Sequence, residues 1–123
     1  MRLFGGDPQK KKNVRMVKEV RRMVKEKRYG PALKAGIEYL REVPENHDIL
    51  FIVGGIYYMQ GRYTAALPYF ERALKIGRYD TEVLALKAQC HRRLGQKSRA
   101  DECWRDILEV DPKNAEALKM LGE

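Results

Sequence analysis

The chain repeats itself at a fixed offset of 34 residues. Gln-Gly-Arg-Tyr-Thr-Ala-Ala at 60–66 is answered by Leu-Gly-Gln-Lys-Ser-Arg-Ala at 94–100, so Gly61 aligns with Gly95, Ala66 with Ala100 and Phe70 with Trp104. A turn glycine, a small residue and a large aromatic returning at this period mark a stack of helical hairpins, each burying its apolar side on its neighbour. One period further back lie Tyr29, Ala32 and Pro44, and Pro112 stands two periods beyond Pro44. The blocks are therefore 13–46, 47–80 and 81–114, with a fourth begun over 115–123; residues 1–12 remain as a basic, flexible leader. Each full block reads as two helices, joined at Lys27-Arg28-Tyr29-Gly30, at Gly61-Arg62-Tyr63 and at Gly95-Gln96-Lys97-Ser98. Glycine supplies the left-handed conformation that ends a helix. Pro31 opens the second helix of the first block, where its missing N–H is harmless, and Pro44 and Pro112 close their blocks. Pro68, several residues into a helix, predicts a mild kink or a late helix start.

These residues resemble the tetratricopeptide repeat family, whose signature is a large residue, Leu-Gly and Tyr, then Gly-x-Tyr, Ala, an aromatic, Ala and Pro. The middle block matches with Leu50, Val53-Gly54, Tyr57, Gly61, Tyr63, Ala66, Phe70 and Ala73, while Arg78 replaces the proline. The third carries Leu84, Ala88, Gly95, Ala100, Trp104 and Pro112, with Lys87, His91 and Ile107 at places normally apolar, aromatic and small. The first keeps Tyr29, Ala32, Leu40 and Pro44 but exchanges the aromatic and the alanine for Gly36 and Tyr39, a volume swap that moves the ring about one turn along. Leu118 and Leu121-Gly122 restart the pattern. The resemblance implies an all-α, right-handed α-solenoid of three helix-turn-helix hairpins plus a C-terminal partial repeat or capping helix. It also implies a protein-interaction scaffold whose first helices line a concave groove.

The residues of those first helices not used in packing are Val14, Val17, Lys18, Arg21 and Lys25, then Phe51, Ile52, Gly55, Tyr58 and Met59, then Ala85, Leu86, Gln89, Arg92 and Arg93. That face is apolar in the middle and basic at its flanks, which suits a partner helix or peptide with apolar anchors and acidic neighbours. The same Met and aromatic stripe also fits plain core packing. Relatives of the Hsp70/Hsp90 carboxylate-clamp type hold a chaperone tail with five Lys, Asn and Arg side chains. The matching places here carry Val17, Arg21, Ile52, Glu82 and Leu86, which excludes that partner.

Net charge is +8, and its location matters: residues 1–46 hold 13 Lys/Arg against 6 Asp/Glu, whereas 81–123 hold 8 against 8. The excess at the N-terminal end points to an acidic peptide, nucleic acid or an anionic membrane surface, or simply keeps an end repeat soluble. Leu118, Met120 and Leu121 either cap the third hairpin or pair with a second copy as a homo-oligomer. Ile49 to Met59, the longest apolar stretch, is too short for a membrane span of roughly 20 residues. Two cysteines and no export signal indicate free thiols and a cytoplasmic location. Cys90, His91 and Cys103 lack a fourth metal ligand, and Gly5-Gly6 and Gly54-Gly55 lack the Gly-Lys-Ser/Thr of a phosphate loop. The reading is a non-enzymatic binding module without cofactor or metal.

Overall fold

A computed structural model describes residues 6–122. They form α1 (Pro8–Lys25), α2 (Tyr29–Glu42), α3 (His47–Met59), α4 (Tyr63–Ile76), α5 (Thr81–Arg93), α6 (Lys97–Val110) and α7 (Ala115–Met120). The helices alternate as first and second members of three stacked hairpins, with α7 following the third.

Local chemistry sets the boundaries. Asn46 accepts the Ile49 N–H at 3.1 Å, Asp80 those of Glu82 and Val83 at 3.0 and 3.2 Å, and Asn114 that of Ala117 at 2.9 Å. Each satisfies N–H groups that the first helical turn leaves open. The three caps also fall 34 residues apart. Second helices begin without a side-chain cap at Arg28, Arg62 and Gln96, and the preceding turn fixes their entry instead. The N–H groups of Arg28, Arg62 and Gln96 reach back to the carbonyls of Met23, Tyr57 and His91 at 2.8, 2.9 and 2.8 Å. The pattern is a Schellman turn, which needs one left-handed residue. Gly61 and Gly95 supply it with φ of 73° and 75°, but in the first hairpin it is Lys27, at 61°. Gly30, taken from sequence as part of that turn, lies inside α2.

The expected leader is shorter than 1–12. Position 12, one period before Asn46, is a lysine and cannot cap, so the helix runs back to Asp7, which accepts the Gln9 N–H at 2.9 Å, with Pro8 in the first turn. Residues 8–12 thus belong to α1, and residues 1–5 lie outside the described residues. In α4 the helix starts at Tyr63 and continues through Pro68, so no late start occurs; Pro68 is exposed.

Close approach builds the core. Phe70, fully buried, presses on Gly54, where an added Cβ would sit 2.6 Å from the ring. Trp104 is buried one hairpin on, in a cluster with Ala88, the residue equivalent to Gly54. In the first hairpin Gly36 admits Val53, whose Cγ2 would be 2.7 Å from an added Cβ, and Tyr39 is buried instead. The volume swap read from sequence is therefore present. Ile107 is buried in the third hairpin, and buried His91 pairs its Nδ1 with the Gln96 Oε1 at 2.7 Å. Successive hairpins are linked by His47 Nε2 to Asp80 at 3.2 Å, by the Arg72 guanidinium donating to the Pro44 carbonyl at 3.0 Å, and by Tyr79 donating to Glu109 at 2.9 Å. Ala117 is buried, and Met120 and Leu121 pack on the Trp104 cluster.

Candidate protein-binding face

First helices touch one another along the stack, α1 with α3 and α3 with α5, while second helices do not approach one another to that extent. The stack therefore bends toward the first helices, and α3 runs through the middle of the inner side. Its sequence, HDILFIVGGIYYM, is apolar all round. A helix of that kind is normally covered on every side. Here Ile49, Leu50, Val53 and Ile56 are buried, but Phe51, Ile52, Gly55 and Tyr58 are only half-covered, and Met59 is 56% exposed.

The two α3 glycines differ. Gly54 is occluded by Phe70, whereas an added Cβ at Gly55 would find nothing within 4 Å, so bare backbone opens on the inner side. Phe51 lies against Phe70 with ring centroids 6.5 Å apart, and Tyr58 meets Tyr63 edge-on at 5.7 Å, so both rings are held in place. Burial pushes the Tyr58 hydroxyl above its ordinary pKa, Tyr63 adds to the shift, and the nearby Arg93 opposes it.

From α5, Leu86 and Gln89 are half-buried beside α3, and Arg92 and Arg93 are exposed with no carboxylate in ion-pair range among the described residues. From α1, Lys18, Arg21 and Lys25 are exposed, and Arg21 is 3.7 Å from Asp48. Val17 is a correction: at 7% exposure it is part of the core, packed with Val20, and offers little to a partner. Val14 is 49% exposed beside it. An open cleft of about 450 Å³ between α1 and the start of α3 is lined by Lys10, Asn13, Lys18, Arg21, His47 and Asp48, among others. A smaller one of about 270 Å³ lies at the other end beside Arg92, Trp104 and Met120.

The face is polarised in a way the sequence pattern did not single out. Asp48, Glu82 and Glu116 occupy equivalent places in the first turns of α3, α5 and α7, where the helix dipole favours negative charge. Lys25, Arg92 and Arg93 stand in the last turns of α1 and α5, where it favours cations. Besides the exposed cations of α1 and α5 at its two flanks, the face therefore carries first-turn carboxylates of α3, α5 and α7 toward one edge and last-turn cations of α1 and α5 toward the other. The 34-residue spacing of the three carboxylates was the available signal.

Two tetratricopeptide repeat family models match the chain, over residues 57–123 and 26–81. A relative from Arabidopsis thaliana, "Protein CTR9 homolog", is 30% identical over 92 residues, 74% of this chain and 8% of that protein, so the chain spans a small part of its length. Among solved structures, the first TPR of Spaghetti (RPAP3) bound to the HSP90 peptide SRMEEVD superposes with a TM-score of 0.82 at 18% identity, covering 90% of this chain and 88% of that one. MamA superposes with a TM-score of 0.83 at 14% identity, covering 89% and 64%. At these identities the structures speak for the fold alone, an α-solenoid. The matched models together take in both complete turn-aromatic repeats, and the chain belongs to the tetratricopeptide repeat family.

Proposed function

We propose that this protein-interaction module holds a partner peptide or amphipathic helix on the inner face of α1, α3 and α5. Apolar side chains of the partner would sit over Phe51, Ile52, Tyr58 and Met59, and acidic ones toward Lys25, Arg92 and Arg93. The observation that carries the reading is the uncovered apolar strip of α3, with exposed Met59 and open backbone at Gly55. Apolar anchors in a groove supply affinity, and charged rims supply orientation. With first-turn carboxylates toward one edge and last-turn cations toward the other, the partner's charges should be distributed unequally across its width.

The peptide SRMEEVD, seen on the Spaghetti domain, is expected to bind poorly here. The equivalent clamp places hold buried Val17, Arg21 already beside Asp48, half-buried Ile52 and Leu86, and the exposed carboxylate of Glu82. Selection from a displayed peptide library tests both statements. Enriched sequences should combine apolar anchors with Asp or Glu, bind far better than SRMEEVD, and lose binding to the Phe51→Ala/Tyr58→Ala variant while its circular dichroism stays native. Selected peptides that bind a natively folded double variant as tightly as the parent would place the site elsewhere.

A further inference from the structure

We propose that the outer face of α1 binds the phosphate backbone of double-stranded nucleic acid, by charge and without reading base sequence. Lys11, Arg15, Lys18, Arg22 and Lys25 follow one another at alternating spacings of four and three residues, so they form a single row along the helix. At a rise of about 1.5 Å per residue the row is about 21 Å long. All five are exposed, and Lys18, which also lines the cleft between α1 and α3, and Lys25 border the inner face proposed above for a peptide, so these two are shared by both surfaces. Arg22 is engaged by Glu19 at 2.6 Å and Glu26 at 3.5 Å. For the other four, no carboxylate lies in ion-pair range among the described residues.

The chemistry of the face narrows the partner. Its opposite side, with Val17 and Val20, is buried in the core, so α1 has no free apolar side to sink into a lipid bilayer. Glu19, Glu26 and the Lys12–Glu42 pair at 2.7 Å bound the row along one side, and exposed Lys10 and Arg21, the latter 3.7 Å from Asp48, flank it on the other. A flat anionic surface would meet those carboxylates as well, whereas a strand of phosphates can track the row. A protein partner would need an apolar centre, and Val14 is the exposed large apolar side chain beside the row. Single-stranded binders add aromatic platforms for base stacking, and α1 contains no aromatic residue. What remains is backbone recognition by cations, the sequence-independent mode of duplex binding.

The row is also held in place. Its first turn is fixed by Gln9 donating to the Tyr39 hydroxyl at 3.0 Å, by Tyr39 donating to Asn13, and by the Lys12–Glu42 pair. The cations therefore stand on a built helix rather than on a loose tail, which reduces the ordering cost of association.

Fluorescence anisotropy of the full chain with a labelled mixed-sequence DNA duplex tests this. Four phosphate contacts, each contributing about 0.9 to the logarithmic salt slope, imply a roughly 150-fold loss of affinity between 50 and 200 mM salt. The variant Lys11→Gln/Arg15→Gln/Lys18→Gln/Lys25→Gln should lose most of the binding and of that slope. A variant with the same net charge, Lys34→Gln/Lys75→Gln/Lys113→Gln/Lys119→Gln, should keep both, and so should Phe51→Ala/Tyr58→Ala, which reports on the inner face instead. The proposal is overturned if the row variant, natively folded by circular dichroism, binds as the parent does, or if the two quadruple variants weaken equally. Binding to phosphatidylserine vesicles without binding to duplex would overturn it too.

Discussion

Gly54 and Gly55 are neighbours in the middle of one helix, and alanine at the two sites should shift stability in opposite directions. At either position alanine gains roughly 0.8–1 kcal/mol of helix propensity. At Gly55 nothing opposes that gain, because the new methyl meets no atom within 4 Å. At Gly54 it would stand 2.6, 2.9 and 3.1 Å from three ring atoms of Phe70, which is fully buried. Overpacking of this kind costs about 1–3 kcal/mol. Propensity cancels in the comparison, so Gly54→Ala should be about 1–3 kcal/mol less stable than Gly55→Ala. Urea unfolding followed by circular dichroism reads the difference as two midpoints on either side of the parent. Coincident midpoints, or Gly54→Ala the more stable of the pair, would refute the packing described for the middle hairpin. Gly55→Ala carries a second expectation: on the proposed site the methyl would stand in the path of the partner backbone, so peptides selected on the parent should bind the more stable variant less tightly.

Lys27→Gly should stabilise the chain by about 0.5–1 kcal/mol, since a left-handed L-residue costs about 1–2 kcal/mol and glycine returns part of that in entropy; a thermal melt should rise, and Gly95→Lys should lower it. Trp104→Ala should cost roughly 3–5 kcal/mol through lost burial and the cavity left behind, measured by urea unfolding. Burial pushes the Cys90 and Cys103 thiols up to about 11, each from an ordinary 9. Both should therefore resist thiol reagents at pH 8 until the chain unfolds. With the folded pKa raised, the unfolded chain loses these protons first, so stability should fall as pH climbs from about 9 to about 11.

The stack itself was legible because its determinants are local and periodic. Turn glycines, small residues and aromatics recur at 34, and the capping residues Asn46, Asp80 and Asn114 recur with them. The start of α1 was misjudged because period was followed where capping chemistry decides: Asp7-Pro8 is a helix start in its own right, and Lys12 is not one. Val17 was assigned to the open face because helical spacing set it apart from the packing positions, but it belongs to the buried core cluster that also holds Val20. The pairing of Arg21 with Asp48 joins different hairpins, so it depended on inter-hairpin geometry that spacing within a helix does not specify. Lys27 in the left-handed position was hidden by nearby Gly30, which has the right composition for a turn but the wrong register.

The first hairpin departs from the other two because its second helix must hold a longer first helix. Where α4 and α6 put an aromatic at the place of Gly36, α2 puts its ring at Tyr39, and the hydroxyl end of that ring reaches Gln9 and Asn13 near the start of α1. Glu42, one turn beyond, takes Lys12. Three polar contacts thus anchor the segment that has no counterpart in α3 or α5. Tyr39→Phe combined with Glu42→Gln keeps the buried ring and removes these contacts. A buried hydroxyl bond is worth about 1 kcal/mol and an exposed ion pair less, so global stability should drop only modestly. The loss should instead concentrate at the N-terminal end of α1. Amide hydrogen exchange at Lys11 to Arg15 should accelerate severalfold, while exchange at Val53 and Ala88 follows the small global change. If protection at Lys11 to Arg15 persisted undiminished, the anchoring of this turn by Tyr39 and Glu42 would be wrong, and the extension of α1 would have to be stable on its own capping at Asp7.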